Sequence, residues 1–306
     1  MNRRRRGNES LIFPAPKPHD HPALARNTSN PTIDTRKHRL LAFNLMHQTN
    51  RPVSMLSTSF IFFLLLVISL LSSGCQSSSQ AKASRPLRAL LITGGCCHNY
   101  KLQGESLTKA VGKLAAVEWT VVNEGGTGTK AMIPLYDDPN WAKGYDVVVH
   151  NECFADTTDT NYIRKITAAH KAGVPAVVIH CAMHTYRATG VDDWREFLGV
   201  TSRYHDHQSH YPVKKVEPVH PIVQGIPDGW KTPMDELYVI EKIWPGTQAL
   251  ATSVSEKDGK TYPVAWIHQY GKARVFGTTF GHSDETFQDP VFLGYLSRGV
   301  LWAAGR

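Results

Sequence analysis

From residue 85 onward, short apolar runs alternate with amphipathic stretches. Residues 88–93 (Arg-Ala-Leu-Leu-Ile-Thr) read as a strand that breaks at Gly94-Gly95. Glycine lets the chain turn sharply and lets another group approach the backbone. Residues 103–116 place Leu107, Ala110, Val111 and Leu114 at helical spacing, with Gly104 and Gly112 weakening that helix. Strands follow over 119–122 and 145–150, a helix over 161–171 closed by Gly173, and a fourth strand over 174–179. This order predicts an α/β fold, a mostly parallel central sheet with flanking helices and right-handed crossovers. Past Phe197 the texture changes. Residues 204–210 are dense in histidine, proline recurs, and short strands are expected over 237–240, 249–253, 263–267 and 274–279. Residues 289–303 read as a helix with Asp289 as N-cap and Pro290 at its first position. With no repeat and no linker after residue 85, residues 86–306 are expected to form one domain.

The N-terminal third has a different character. Residues 1–54 lack an apolar period and read as a disordered extension or a mis-called start. Residues 60–71 form an apolar run of about 12 residues, the length of a signal-peptide core and short of the ~20 a spanning helix needs. It leads into Ser72-Ser73-Gly74-Cys75, which resembles a bacterial lipoprotein signal, although Leu71 stands four residues before the cysteine instead of three. Residues 55–75 are therefore expected to be a lipoprotein-type signal, with Cys75 as a lipid anchor to the membrane and residues 76–85 as a polar tether. An uncleaved signal anchor is the alternative. Either way the protein is expected to be exported, as a membrane-anchored or periplasmic protein.

The formal charge is +8, but residues 1–54 hold ten basic against three acidic residues, leaving +1 for the remainder. The folded part is nearly neutral, so charge gives no reason to expect nucleic-acid binding. No C-x-x-C spacing occurs among the five cysteines, which removes zinc-ribbon and thioredoxin motifs. Export permits disulfides, yet free buried thiols are expected, Cys153 among them. Gly125-Gly126-Thr127-Gly128 lacks the order and placement of a dinucleotide fingerprint.

Candidate chemistry collects at strand ends, where open α/β sheets bind ligands. His98 follows strand one, Glu152 strand three, and His180, Cys181 and His184 strand four. His180 and His184 would share a face if a helical turn begins between them. They are the expected ligands of a divalent, zinc-like metal, since neutral imidazole is a common metal ligand. Asp235 and Glu236 supply a candidate carboxylate acid or base, with Glu236 the expected catalytic one. His282 and Asp284, after the last strand, return to the same sheet edge. His205, His207 and His210 are expected on a solvated polar strand, and Tyr186, beside Arg187, on a binding rim.

Several of these pieces recur together in a known family. In order, they are Thr93-Gly94-Gly95, residues 178–184 (Val-Ile-His-Cys-Ala-Met-His), 219–222 (Val-His-Pro-Ile), 235–238 (Asp-Glu-Leu-Tyr), 263–266 (Pro-Val-Ala-Trp) and 271–285. The series resembles the ThuA family, named for trehalose utilisation, over nearly all of 88–305. The resemblance implies a class I glutamine amidotransferase-like fold and a link to carbohydrate metabolism. An amidotransferase would use Cys181 with His282 and Asp284. However, Ile179 and Met183 stand where a nucleophile elbow wants glycine. The expected function is a sugar-directed enzyme, a hydrolase or related, acting on a small carbohydrate through His98, His180, His184 and His282, with Glu236 or Asp284. The alternatives are a non-catalytic carbohydrate-binding lipoprotein and a Cys181-dependent hydrolase.

Overall fold

A computed structural model of the protein describes residues 85–306. The expected extension, the signal segment with Cys75, and all but the end of the tether lie outside the described residues. In chain order the elements begin β1 (Leu87–Gly95), α1 (Tyr100–Gly112), β2 (Val117–Asn123), β3 (Val147–Cys153), α2 (Thr160–Ala172) and β4 (Ala176–Ile179). A single 3-10 turn, His180–Met183, follows β4 directly. Then come α3 (Asp193–Leu198), β5 (Val200–Thr201), β6 (His205–Ser209), β7 (Lys214–Lys215), β8 (Asp235–Tyr238), β9 (Lys242–Ile243), β10 (Thr247–Val254), β11 (Thr261–Tyr270), β12 (Ala273–Thr278) and α4 (Pro290–Ala303).

The main sheet has eight strands in the order β2-β1-β3-β4-β12-β11-β10-β7. Pairing is parallel from β2 through β12 and antiparallel from β12 to β7. The expected mostly parallel sheet is therefore present, extended at one edge by antiparallel strands. β3 and β4 are buried throughout and β1 nearly so, as expected for strands covered on both faces by helices. Two small pairs, β5–β9 and β6–β8, stand apart from the main sheet.

Local chemistry sets the helix ends. The side chains of Asn99, Asp159 and Asp289 accept the N–H groups of Leu102, Tyr162 and Phe292 at the starts of α1, α2 and α4. α1 begins three residues earlier than its apolar spacing predicts because this cap lies at Asn99.

β3 runs three residues past its apolar sequence, into Asn151, Glu152 and Cys153. A buried network makes this possible. His170 Nδ1 lies 2.8 Å from the Val174 carbonyl, so it donates and leaves Nε2 as an acceptor. His150 Nε2 lies 3.0 Å from that acceptor, and His150 Nδ1 lies 2.9 Å from Glu152 Oε1. His150 and Glu152 thus form a buried, hydrogen-bonded pair at the end of β3. Glu152, expected at a strand end facing ligand, is fully buried in this network. Burial lowers His170 to about 3, which keeps it neutral as the accepting partner.

Candidate functional site

The carboxyl ends of β1, β4 and β12 bring three histidines together. His98 follows β1, His180 opens the turn after β4, and His282 lies four residues beyond β12. One ring nitrogen from each lies within 4.8 Å of the other two. His98 Nε2 is 3.2 Å from His282 Nδ1.

Hydrogen bonds define how two of these rings face one another. His180 Nδ1 lies 2.7 Å from the carbonyl of Thr279, which only accepts, so Nδ1 carries the proton. Its Nε2 lone pair then turns toward the cluster, where the Tyr238 hydroxyl donates to it at 3.3 Å. The Tyr100 hydroxyl donates to the Cys96 carbonyl at 2.9 Å and accepts from His98 Nδ1 at 3.3 Å. His98 Nε2 is thereby left as a lone pair facing His282.

Glu236, on β8, closes the cluster. Its Oε2 lies 3.3 Å from His282 Nδ1, 3.5 Å from His205 Nδ1 and 3.7 Å from His180 Nε2. The Gln208 side-chain amide lies 2.8 Å from the far nitrogen of His282, where its N–H donates to the neutral ring and its oxygen, once the amide turns over, accepts from the charged one. The β6–β8 pair places these groups, with Gln208 opposite Glu236 and His205 opposite Tyr238. An irregularity between His205 and Gln208 separates His205 from His207, which pairs with Glu256 instead.

The electrostatics divide the histidines into two kinds. Burial, reinforced by His282, lowers His98 to about 4. Burial also holds His180 well below the ordinary imidazole range and takes His184, beside Arg187, to about 2. These rings are neutral near pH 7. His282 moves the other way, raised by its hydrogen bond to Glu236 against the opposing effect of burial. Burial would raise Glu236, but its hydrogen bond to His282 and that ring's charge outweigh it and hold the carboxyl below its usual range. The site thus pairs a proton-holding His282–Glu236 couple with neutral imidazole lone pairs on His98 and His180.

Two buried groups grip the turn that carries His282. Asp235 accepts the N–H of Gly281 at 3.0 Å, both oxygens lie 3.3 Å from the N–H of His282, and Thr286 Oγ1 donates at 2.6 Å. Gln103, on α1, donates to the Gly281 carbonyl at 3.1 Å while accepting from Asn151. Gly281 has φ +134°, and a Cβ there would sit 3.2 Å from Cβ of His180. Glycine thus lets the His282 turn pack against the His180 turn. His180 itself has φ +45°, a strained value for histidine.

The cluster opens into a cavity of about 250 Å³ lined by His98, His184, His205, Glu236, Tyr238 and His282, with cysteines along another wall. Arg187 lies on its lining and donates to the Arg203 carbonyl.

The sequence profile of the ThuA family, described as trehalose utilisation, matches residues 88–303. The chain belongs to the ThuA family. A ThuA-like protein from Parabacteroides merdae ATCC 43184 has a similar structure, with a TM-score of 0.57 and 24% identity over 72% of this chain and 90% of that one. A ThuA-like protein from Bacteroides uniformis ATCC 8492 gives a TM-score of 0.56 and 16% identity over 73% and 94%. No curated protein matches the chain.

Within this ThuA-family fold the expected site residues separate. His98, His180, Glu236 and His282 converge. The expected metal pair His180 and His184 does not share a ligand position, because a 3-10 turn rather than an α-helical turn separates the two rings. His184 instead stacks on Tyr238 at 4.0 Å and contacts Ser202. Asp284 accepts from Asn99 at 2.9 Å, so the Cys181-His282-Asp284 arrangement is replaced by His282–Glu236. Cys181 and Cys153, expected as thiols, are joined in a disulfide. Tyr186 is buried and packs edge-on against Trp194 rather than forming a rim. His205, expected on a solvated strand, reaches Glu236. Gln103 joins the site as well, and its one mark in the sequence is a polar residue four positions before Leu107 on an apolar helix face.

Proposed function

We propose that this ThuA-family chain is an enzyme that acts on a sugar or sugar derivative in the cavity above His98, His180 and His282. The carrying observation is the convergence of three imidazole nitrogens beside the Glu236 carboxylate, at the strand ends where α/β sheets bind ligands. The cavity of about 250 Å³ falls just below the ~300–1,000 Å³ usual for small-molecule sites, which suits one sugar ring with the remainder in solvent.

In this reading, His282 delivers or withdraws a proton at a sugar oxygen, and Glu236 stabilises its charged form. His98, neutral and facing His282, is placed to receive a proton. His180 is fixed by the Thr279 carbonyl and orients the cluster.

His98 Nε2, His180 Nε2 and His282 Nδ1 also suit a divalent, zinc-like cation. Neutral imidazoles are its usual ligands, and the Thr279 and Tyr100 contacts orient two of the rings as an outer shell does. A cation held there would supply Lewis acidity to a sugar oxygen. Export and lipid anchoring at Cys75 complete the proposal, and the intact mass of the native protein checks the anchor.

The functional test is a panel of mono- and disaccharides and their oxidised derivatives, incubated with untagged protein with and without added Zn²⁺. Elemental analysis accompanies it. Conversion of at least one sugar is expected. Saccharide binding without product across the panel would favour a binding protein instead.

A further inference from the structure

The four cysteines of the described domain come from three strand ends and meet on one wall of the cavity. Cys96 and Cys97 follow β1 and are joined to each other. Cys153 ends β3 and is joined to Cys181, in the turn after β4. Cys96 Sγ lies 3.7 Å from Cys153 Sγ, a contact between the two disulfides. Gly95 permits it, because a Cβ at that position would overlap the Cys153 carbonyl.

Exposure is graded along this row. Cys97 is exposed and Cys96 half-buried, whereas Cys153 and Cys181 are 3% and 7% exposed. The outer pair is thus open to a large reductant that cannot reach the inner pair. Cys181 also adjoins His180, so the inner disulfide ties the end of β3 to the turn that carries a site histidine.

We propose that Cys96 and Cys97 form a thiol–disulfide relay that carries two electrons from a protein dithiol outside to the buried Cys153–Cys181 bond. In the first step the external dithiol reduces Cys96–Cys97 to two thiols and is itself oxidised to a disulfide. The Cys96 thiolate then attacks Cys153 Sγ. The Cys153–Cys181 bond breaks, and Cys181 leaves as a thiolate that takes up a proton. The Cys97 thiolate next attacks Cys96 Sγ, re-forms Cys96–Cys97 and expels Cys153, which is protonated in turn. The net change is one external dithiol oxidised and the inner disulfide reduced to two thiols. The relay is independent of which reaction the histidine site performs.

The test uses full-length protein, a dithiol protein of thioredoxin size, and differential alkylation with peptide mapping. Thiols at Cys153 and Cys181 are expected in the wild type. In Cys96→Ser/Cys97→Ser the same thiols should appear at least tenfold more slowly. Cys97→Ser alone should accumulate a Cys96–Cys153 disulfide with Cys181 free. Cys97→Gly is the companion variant, since Cys97 has φ +83° and glycine accepts that backbone freely. Equal rates in wild type and double variant, or no Cys96–Cys153 linkage in either single variant, overturns the relay. So does air-purified protein with four free or metal-bound thiols.

Discussion

The buried carboxylate of Asp235 accepts the backbone N–H of His282, so the residue beside Glu236 positions Glu236's own partner. Asp235 also accepts from Glu236, Gly281 and Thr286. Burial pushes its carboxyl up to about 6, against those four donors. Asp235→Ala would leave several buried donors unpaired, each worth about 1–3 kcal/mol. Destabilisation of about 3 kcal/mol or more is expected. A thermal scan should register a fall of roughly 6–12 °C at ~2–4 °C per kcal/mol.

Gly281 offers a second check. Its φ of +134° and the closeness of Ile179 and His180 leave a side chain both strained and crowded. Gly281→Ala should lower stability by about 1–3 kcal/mol and displace the His180 turn. Activity should therefore fall more than denaturant unfolding alone accounts for. A variant equal to wild type in both would show that the packing of these turns is not required.

The lowered histidines predict acid sensitivity. His98 and His184 stay neutral in the folded protein down to about pH 4 and 2. The unfolded chain protonates them near pH 6.5. Below that point the unfolded state binds more protons, so stability falls as pH falls, by up to about 1.4 kcal/mol per pH unit for each such ring. The raised His282 contributes oppositely. Its stabilisation is present below the unfolded value and is lost as pH rises through its folded value. Glu236 holds its share above the unfolded carboxyl value and loses it as pH falls through its lowered folded value. Denaturant melts from pH 4 to 8 should show a shallower acid limb in His184→Asn. His282→Gln should lose stability most between about pH 5 and 6.5, where both halves of the ion pair are charged.

Much of the architecture was legible because parallel strands write themselves as continuous apolar runs, as in 88–93 and 174–179. β3 was cut short at His150 because its last residues are polar. Their burial rests on partners far along the chain, His170 for His150 and Gln103 for Asn151. The site was legible in part. His98, His180 and His282 stand beyond the ends of β1, β4 and β12, which the parallel sheet gathers, whereas Glu236 comes from β8 in a separate antiparallel pair. His184 misled because i, i+4 spacing means one face only in an α-helix, and this turn is 3-10. His205 and Gln208 were hidden by the irregularity in β6, which no alternation rule conveys. Cys153 and Cys181 gave no sign of pairing, since their contact depends on neighbouring strands β3 and β4.

Zinc affinity should depend on pH in a definite direction. Binding at His282 Nδ1 must displace the proton held there with Glu236. Calorimetric Zn²⁺ titrations of untagged protein should therefore show affinity rising from pH 6 to 8, with proton release. His282→Gln should flatten that dependence.

The most direct measurement is turnover of the first sugar the protein converts, compared across His98→Ala, His282→Ala and His207→Ala. His207 pairs with Glu256, apart from the cluster, and serves as the control. Loss of about 10²–10⁴ in kcat/KM is expected for the first two, the range for removing a general acid or base, with folding retained and the control near wild type. Wild-type turnover in folded His98→Ala and His282→Ala proteins would contradict a shared histidine site.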